Sequence, residues 1–512
     1  MKKILGIELG STRIKSVLID ESAGVIAQGA FDWENKLENG LWTYSLDDVW
    51  SGIQASYKAL CDNFGTPIES LDAIGISAMM HGYLAFDKDD NLLVPFRTWR
   101  NTNTAQASSE LTEAIGFNMP QRWSGSHFYQ AVLNKEEHVN KVTFLTTLAG
   151  YVHWKLTGER VLGVGDASGM FPVINGDYDK DRIKIYNECL KKHGVDKDLY
   201  ALLPKSLKAG QDAGRLTEAG ARLLDPTGTL KAGCPLCPPE GDAGTGMTAT
   251  NAVRPRTGNV SAGTSAFAMV VLEKPLSRVN SMIDVVATPS GDTVAMVHAN
   301  NFTCEINAWT NLFEELLVLA GVNMHKGKLF DMLYEISAKS DDDIGGLVGY
   351  NFLSGEPIVE LETGVPMIAR MPSGRLTLAN FMQMQLYSAL GAMSIGMEIL
   401  DEENVQIEEI CGHGGFFKTP FIGANAMSAA LGCPITVMKN AGEGGAWGVA
   451  LLALYMTKSG VSLEKFLDEI FASAEKERTV ASSEEKAKFA TFMKSYKAGL
   501  AVEKRATEVY NK

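Results

Sequence analysis

The sequence predicts an α/β protein of two large domains, and three observations lead to this expectation. First, the chain has 512 residues, more than one hydrophobic core usually supports. Second, runs typical of buried β-strands alternate with amphipathic helical segments. Third, a β-rich segment interrupted by a glycine and two hydroxyl residues occurs twice, with Gly10 and Gly263 lying 253 positions apart. A repeat at about half the chain length indicates a duplicated architecture.

The first half opens with a predicted β-hairpin over residues 4–20, whose turn is Gly10-Ser11-Thr12. Ser45 and Asp48 then resemble a capping box at the start of a helix. Residues 71–80 form an apolar run typical of a buried strand. The apolar residues of the intervening helix recur at helical spacing, at Val49, Ile53, Tyr57 and Leu60.

The second half repeats this beginning with a second predicted hairpin over residues 257–272. The domain boundary is best placed near residues 252–257, between two predicted elements. Beyond about residue 456 the chain becomes helical and charged, which predicts a surface helix pair without chemistry. We therefore expect an N-terminal domain over 1–255, a C-terminal domain over 256–455 and a helical extension over 456–512.

Composition narrows the partners and the compartment. The formal net charge of −14 argues against nucleic acid or an anionic membrane as the main partner, because both need clustered Lys and Arg. No stretch approaches the ~20 apolar residues of a membrane span, and the N-terminus does not resemble a signal peptide. Cys234 and Cys237 form a single CxxC without a second ligand pair, so we expect neither zinc nor redox chemistry. A reduced, cytoplasmic protein is predicted, and a homodimer is compatible with the sequence.

Phosphate binding must use other means than a P-loop, since the sequence has no Gly-x4-Gly-Lys-Ser/Thr motif. In an acidic chain, a phosphate would be held locally by backbone amides at glycine turns and by a metal ion. The glycine-rich segments 412–415 and 442–448 suit either phosphate binding or close packing of a helix on a strand.

Short segments taken in order resemble motifs of the FGGY family of carbohydrate kinases, with most likeness to xylulokinase and ribulokinase. They span residues 4 to about 455, and they are 6–12, 80–82, 156–159 with 166–169, 241–242, 263–265, 353–356, 414–415 and 445–448. This family shares the fold of actin, hexokinase and the large heat-shock chaperones. The resemblance implies two actin-like domains of the ribonuclease-H type with a cleft between them, the sugar mainly on the first and ATP mainly on the second.

The resemblance also implies roles for individual residues. Asp242 would be the catalytic base that accepts the proton of the sugar hydroxyl, and Glu8 would help to hold Mg²⁺ where the family usually has an aspartate. The ATP-binding residues would be Gly10, Ser11, Thr12, Arg13, Lys15, Gly263, Thr264, Gly414 and Gly415. The sugar-binding residues, with Asp242, would be Met80, His81, Trp99, Arg100 and Asn101. ATP and Mg²⁺ are the implied cofactors, and a small sugar is the implied partner.

Each assignment has a structural alternative. Asp242 suits the N-cap of a helix beginning at Ala243, and Glu8 could be a charge at a strand end. Lys15 and Arg100 could be solvated surface charges. His81 could be a structural histidine, and Trp99 could belong to the core.

The predicted sugar motif departs from the family pattern. Met79 stands where xylulokinase-like members carry Gln, and residues 99–103 read Trp-Arg-Asn-Thr-Asn instead of Trp-Asn-Asp-x-Arg. The exact sugar is therefore open. We expect phosphoryl transfer from ATP to a ketopentose, D-xylulose or L-ribulose. The alternatives are a kinase for another polyol or sugar acid, such as glycerol or gluconate, and a non-catalytic nucleotide-dependent binding protein on the same fold.

Overall fold

A computed structural model describes residues 2–438, 444–458 and 460–510. The strands of this part of the chain are β1 Ile4–Leu9, β2 Arg13–Ile19, β3 Val25–Asp32, β4 Lys36–Glu38, β5 Leu41–Thr43, β6 Ala73–Ala78, β7 Leu84–Phe86, β8 Phe144–Thr146, β9 Val161–Gly163, β10 Val173–Ile174, β11 Asp177–Tyr178, β12 Lys205–Leu207, β13 Glu240–Gly241, β14 Thr257–Ala262, β15 Ala266–Val271, β16 Ile283–Ala287, β17 Thr293–Ala299, β18 Leu347–Tyr350, β19 Met367–Arg370, β20 Glu409–His413, β21 Ile435–Met438 and β22 Lys476–Thr479.

Helices alternate with these strands, as expected for an α/β protein. They are α1 Leu46–Phe64, α2 Ala105–Ile115, α3 Ser124–Leu133, α4 Leu148–Thr157, α5 Val164–Ala167, α6 Lys180–Lys192, α7 Leu199–Leu202, α8 Glu218–Leu224, α9 Asp242–Ala249, α10 Cys304–Leu319, α11 Lys326–Ser337, α12 Leu378–Glu402, α13 Ile422–Leu431, α14 Gly444–Met456, α15 Leu463–Phe471 and α16 Ser483–Tyr510.

The chain divides into two compact units, which confirms the predicted two-domain α/β class. The first unit comprises the described residues of Met1–Arg254, Arg278–Val294 and Ala441–Ser473, and the second those of Pro255–Ser277, Ala295–Asn440 and Ala474–Lys512. Two segments from the second half of the sequence, 278–294 and the described part of 441–473, thus belong to the first unit. The functional domain boundaries at 255 and 455 stay a prediction.

The first unit is organised around a five-stranded sheet of order β13-β6-β1-β2-β3. The predicted hairpin is confirmed, with β1 and β2 antiparallel, whereas β1 and β6 run parallel. Helix α14 lies so close to this sheet that a Cβ on Gly6 would be 2.1 Å from the Ala446 oxygen. A Cβ on Gly75 would likewise be 2.5 Å from the Val449 oxygen. Glycines in β1 and β6 therefore permit the close packing of α14.

Helix α1 forms as its pattern predicts. The Ser45 side chain accepts a hydrogen bond from the Asp48 amide and satisfies one of the free N–H groups of the first turn. The helix ends at Gly65, whose φ of 86° is the left-handed conformation that suits glycine. All four apolar residues of the predicted inner face are buried.

The second unit contains strands in the order β17-β15-β14-β20-β21-β22. Its hairpin of β14 and β15 confirms the second predicted hairpin, and β20 pairs parallel with β14. The C-terminal extension contains the predicted helices α15 and α16, but it also contributes β22, which pairs with β21. Strand β22 was not predicted, because its sequence Lys-Glu-Arg-Thr is charged and mostly exposed.

The remaining expectations from composition concern membranes and cysteines. Within the described residues, no helix combines the length and apolar character that crossing a membrane requires. All seven cysteines are free thiols. Burial raises the pKa of Cys234 to about 11, and that of Cys237 is raised further. Both CxxC thiols are thus buried and protonated, as a structural role requires.

Candidate active site

Asp242 lies where strand β13 passes directly into helix α9. It is the first residue of the helix, and Gly241 occupies the N-cap position. Its Oδ1 accepts hydrogen bonds from the backbone amides of Met80 and Ala243, each at 3.0 Å. The alternative of an N-cap at Asp242 is wrong by one residue, because the helix begins earlier. One of the two donors instead comes from the turn that follows β6, so the carboxylate is fixed by long-range contacts.

The environment makes Asp242 a stronger base than an exposed aspartate. Burial raises its pKa above the usual value, and the backbone hydrogen bonds from Met80 and Ala243 oppose this effect. The Met80 and Ala243 amides both donate to Oδ1, which leaves Oδ2 as the oxygen for an incoming hydroxyl. Its place in the first turn of α9 also sets its negative charge against the positive end of the helix dipole.

Glu8 is the second carboxyl group of the site and lies near the end of β1, opposite Lys15 of β2. Its Oε2 accepts a hydrogen bond from the Ala446 amide at 3.2 Å. Burial, followed by the charge of Asp242, raises the pKa of Glu8 to about 7, and the Lys15 ammonium opposes the rise. A Cβ on Gly445 would be 2.3 Å from Glu8 Oε1, so only glycine leaves room for this longer acid.

The Glu8 carboxyl group suits a hydrated magnesium ion. Carboxylate oxygens are hard ligands, and Mg²⁺ usually retains several waters while it contacts one or two carboxylates. No group of three potential metal ligands occurs in the described part of the chain, so the residues present do not form a fully protein-built cage. The donor set therefore fits Mg²⁺ held partly through water.

Two further buried acids, Asp166 and Glu240, lie beside Asp242 and were missed as site residues by sequence reasoning. Glu240 accepts hydrogen bonds from the amides of Gly165 and Asp166, at 3.2 and 2.9 Å. Thr147 donates to Asp166 Oδ2 at 2.6 Å, whereas Asp166 Oδ1 is buried without a hydrogen-bond partner. Burial raises the pKa of Asp166 to about 7 and that of Glu240 to about 8. The sequence signal that could have identified them is an acidic residue among mostly apolar and small neighbours.

The turn after β6 has an unusual backbone. His81 has a φ of 70° and Gly82 a φ of 98°, so two successive residues adopt left-handed conformations. Such strain in a histidine persists only where the surroundings fix it, and it is common at functional sites. His81 Nδ1 lies 3.2 Å from the Gly169 oxygen, and the ring stacks on Trp123 with centroids 6.3 Å apart. His81 therefore has the partners that its structural alternative requires, in a turn whose Met80 amide binds Asp242.

The three residues of the predicted sugar motif have different environments. Trp99 is partly buried against the core, and its Nε1 donates to Ser11 Oγ at 3.2 Å, which links the motif to the first hairpin turn. Arg100 is exposed, and its guanidinium carbon lies 3.7 Å from the centroid of the Trp42 ring. Asn101 is buried, and its amide bonds the backbone of Trp42 twice and the Thr98 oxygen once. These contacts favour a structural role for Asn101.

The first hairpin turn is anchored through its carbonyl groups. Trp33 Nε1 donates to the Gly10 oxygen at 2.7 Å, and the Tyr44 hydroxyl donates to the Ser11 oxygen at 2.6 Å. Thr12 is exposed at the tip. Arg13 forms an exposed ion pair with Asp32 at 2.5 Å, across the β2–β3 register. Arg13 would have to exchange this partner to bind a phosphate, whereas Lys15 already lies opposite Glu8.

The second unit brings together the other predicted ATP-binding residues. The Gly263 oxygen accepts from Thr303 Oγ1 at 2.7 Å, and the Thr264 oxygen accepts from the Phe302 amide at 2.9 Å. Gly414 has a φ of 108°, and a Cβ there would be 2.3 Å from the oxygen of Ala262, which precedes Gly263. Gly415 follows in open space. The second hairpin turn and the Gly414-Gly415 pair are therefore neighbours.

The glycine-rich segment 442–448 serves packing where it is described, and Gly442 lies outside the described residues. A Cβ on Gly448 would be 2.1 Å from the Thr245 oxygen of α9. With the contact of Gly445 and Glu8, this places α14 directly against the acids of the site.

Comparison with known families identifies this arrangement. The N-terminal domain of the FGGY family of carbohydrate kinases matches residues 3–234, and its C-terminal domain matches residues 258–457. The chain belongs to the FGGY family of carbohydrate kinases. It is thus a phosphotransferase that acts on a small-molecule sugar, in a family that uses ATP as a substrate and typically Mg²⁺. The alternative of a non-catalytic binding protein is set aside by this membership.

Individual FGGY relatives agree on the fold at low sequence identity. A xylulose kinase of Haemophilus influenzae is 22% identical over 473 residues, covering 86% of this chain and 91% of the relative. A ligand-bound xylulose kinase structure from Lactobacillus acidophilus matches with a TM-score of 0.78 and 17% identity, over 99% of this chain and 100% of that one. A gluconate kinase structure from the same organism matches with a TM-score of 0.79 and 16% identity, over 98% of each chain. The actin-like two-domain fold is thereby confirmed.

Proposed function

We propose that this kinase transfers the γ-phosphoryl group of ATP to a hydroxyl of a ketopentose, with D-xylulose as the first candidate and L-ribulose as the second. The observation that carries the chemistry is the Asp242 carboxylate, held by the Met80 and Ala243 amides and set in surroundings that raise its pKa. In phosphoryl transfer the protein mainly positions the reactants and neutralises charge, so one well-placed base suffices.

Asp242 acts as the base in this proposal. Its Oδ2 accepts the proton of the sugar hydroxyl as the hydroxyl oxygen forms its bond to the γ-phosphorus and the bond to ADP breaks. The His81 turn fixes Asp242 through the Met80 amide, so a sugar bound at this turn meets a carboxylate already oriented. Trp99 offers the flat surface on which a sugar ring or chain can pack, with its indole N–H held by Ser11.

Glu8 would help to hold the hydrated Mg²⁺, which when bound neutralises charge on the ATP phosphates. Burial is the main cause of the raised pKa of Glu8, and the charge of Asp242 adds to it. For ATP itself, we infer that the amides of the first hairpin turn and the second unit's Gly263, Thr264, Gly414 and Gly415 bind the nucleotide. The exposed tips of both turns support this inference.

The choice of a ketopentose is supported by similarity to the xylulose kinase of Haemophilus influenzae, which covers 86% of this chain. Fold similarity does not separate the sugars, because the xylulose and gluconate kinase structures match equally well. One observation favours a sugar acid as the alternative to a ketopentose. Arg100 places an exposed cation in the sugar motif, where a substrate carboxylate could pair with it.

The test is sugar-dependent release of ADP across D-xylulose, L-ribulose, glycerol and gluconate, with kcat/KM measured for each. We expect the highest value for a ketopentose, because a polar site rejects a wrong hydroxyl pattern by leaving its own donors unpaired. If gluconate or glycerol gives the highest value, the ketopentose assignment is wrong.

Arg100→Ala separates the two candidates within the same assay. A sugar acid that depends on Arg100 should lose about tenfold or more in kcat/KM, the range of a charged hydrogen bond. A ketopentose should lose little. Asp242→Asn is the control for contamination. ADP release that remains with this variant measures the activity of any other kinase in the preparation.

A further inference from the structure

A short segment, residues 300–303, joins β17 to α10 in the second unit, and we call it the supporting segment. Its Phe302 amide and Thr303 hydroxyl donate hydrogen bonds to two carbonyl oxygens of the second hairpin turn, at 2.9 and 2.7 Å. The Phe302 ring also lies against Phe416, the residue after Gly415, with centroids 4.9 Å apart. The supporting segment therefore contacts both glycine turns that we assign to ATP.

Asn301 fixes the supporting segment to the chain that follows β18. It is 1% exposed, and its Oδ1 accepts hydrogen bonds from the amides of Leu353 and Ser354, at 2.9 and 3.0 Å. Its Nδ2 donates to the oxygens of Ser354 and Gly355, at 3.2 and 3.4 Å. These partners belong to residues 353–356, one of the segments that resemble family motifs and one to which the site described above gives no role.

Glu356 ends the segment 353–356 and is fully buried. Its Oε2 accepts hydrogen bonds from the backbone amide and the side-chain amide of Asn301, at 3.1 and 3.2 Å. Burial raises the pKa of Glu356 to about 7, and the amides of Asn300 and Asn301 oppose the rise. A buried acid lowers stability unless hydrogen bonds offset its loss of water, and a glutamine would fill the same space at lower cost. The acid therefore indicates that Asn301 is held by charge-assisted hydrogen bonds, which are stronger than neutral ones.

We propose that Asn301 and Glu356 are positioning residues for ATP, which hold the supporting segment and, through it, the second hairpin turn and the neighbouring Gly415. This inference rests on the proposed function, in which these turns bind the nucleotide. The two side chains bond to each other and to the backbone of residues 301 and 353–355, so they act on ATP indirectly. Turns that are fixed before ATP arrives reduce the ordering cost of binding, so the network should raise the affinity for ATP.

Glu356→Gln tests this proposal in the full chain. It keeps the size of the side chain and replaces charge-assisted hydrogen bonds by neutral ones, so the KM for ATP should rise about 3- to 10-fold. The KM for the sugar and kcat at saturating ATP should stay close to wild type. The matched control is Glu362→Gln, the same change at an exposed glutamate nearby in the sequence, which should leave all three constants unchanged. The assays are run at about pH 8, above the raised pKa of Glu356, so that its carboxylate is charged.

Asn301→Asp tests whether the two residues act as a pair. It keeps an acceptor for the amides of Leu353 and Ser354 but sets a second carboxylate against Glu356, so the KM for ATP should rise by more than in Glu356→Gln. Glu356→Gln introduced into Asn301→Asp supplies an amide donor for the new carboxylate and should partly restore the KM for ATP. A network that only supports the fold would change the melting temperature without this selective and reversible effect.

Hydrogen exchange measured by mass spectrometry reports on the turns independently of activity. Peptides that contain Phe302 or Thr264 should exchange several-fold faster in Glu356→Gln than in wild type or Glu362→Gln. If exchange and the KM for ATP both stay at wild-type values, the proposal is wrong. An equal rise in the KM for the sugar would also overturn it, since the effect would then be general. Faster exchange with an unchanged KM for ATP would confirm the hold on the turn but overturn its role in ATP binding, which locates the failure in the proposed function.

Discussion

The two units contain hairpins of the same kind whose strands end in different chemistry. Two residues before Gly10 lies Glu8, which pairs in register with Lys15 of β2. Two residues before Gly263 lies Ser261, which pairs in register with Phe267 of β15. The backbone plan is therefore shared, whereas the charged pair occurs in the first unit.

The surroundings of the two turns differ in the same way. The first turn lies on the sheet whose strand β13 contains Glu240 and leads into Asp242, and burial raises the pKa of both acids. The second turn is fixed by neutral groups, namely the Thr303 hydroxyl and the Phe302 amide. The comparison teaches that a duplicated scaffold can assign proton and metal chemistry to one copy and leave the other for neutral hydrogen bonding to a ligand.

The largest effect should come from Asp242→Asn. Asparagine keeps the Oδ1 acceptor for the Met80 and Ala243 amides but removes the proton acceptor. We expect kcat to fall by about 10²- to 10⁴-fold, the usual contribution of a general base, while ATP affinity and melting temperature stay close to wild type. The measurement is kcat at saturating ATP, sugar and Mg²⁺. If a folded variant keeps a near-normal kcat, Asp242 is not the base. The proposed chemical difference between the two hairpin regions would then lose its main support.

The next largest effect compares Glu8 of β1 with Ser261, the corresponding residue of β14. Glu8→Gln should raise the Mg²⁺ concentration for half-maximal activity by about tenfold, as expected when a group that supports a metal loses its charge. Ser261→Ala, at the corresponding position of the second hairpin, is the control and should leave that concentration unchanged. Glu8→Asp keeps the charge and should stay close to wild type. If Glu8→Gln and Ser261→Ala change the Mg²⁺ requirement equally, the proposal that only the first hairpin supports the metal is wrong.

A smaller effect is expected at the second turn. Thr264→Ala removes one neutral hydrogen-bonding group, which is worth about 0.5–1.5 kcal/mol, so the KM for ATP should rise about 2- to 10-fold. The KM for the sugar is the internal control and should not change. A Thr264→Ala variant that alters the sugar KM and leaves the ATP KM unchanged would reverse the proposed division of ligands.

The smallest effect concerns stability and its pH dependence. Burial raises the pKa of Asp166 to about 7, whereas an unfolded aspartate titrates near ~4, so folding takes up a proton between these values. Stability from this group is therefore fully present at low pH and is lost as pH rises from about 4 to about 7. Asp166→Asn cannot lose a proton and keeps an acceptor for Thr147. Its melting temperature should exceed that of wild type by about 2–4 °C at pH 8 and by less at pH 5.

The control for this comparison is Asp196→Asn, at an exposed aspartate outside the site. It should leave the wild-type dependence of melting temperature on pH unchanged. Parallel curves for Asp166→Asn and wild type would show that Asp166 is ionised in the folded protein at neutral pH, contrary to the expectation from its burial.

The sequence by itself determined the elements that depend on local patterns. Alternation of apolar residues, the Ser45 cap and the glycine turns predicted both hairpins and α1, because these signals act over a few neighbouring residues. The order of the short FGGY motifs predicted the family, since it needs no knowledge of contacts. Asp242 and Glu8 were singled out in this way, although their roles remain proposals.

Only the tertiary structure decided which groups meet. Glu240 and Asp166 are 74 positions apart in sequence, and their hydrogen bond joins β13 to α5, which no local pattern encodes. The bonding of Asn101 to the Trp42 backbone and the ion pair of Arg13 with Asp32 likewise depend on strands brought together by the sheet. The pKa of a carboxyl group follows from its burial and its neighbours, and both are properties of packing. The sequence therefore singled out Asp242 and Glu8, and the fold determines which acids are buried and have a raised pKa.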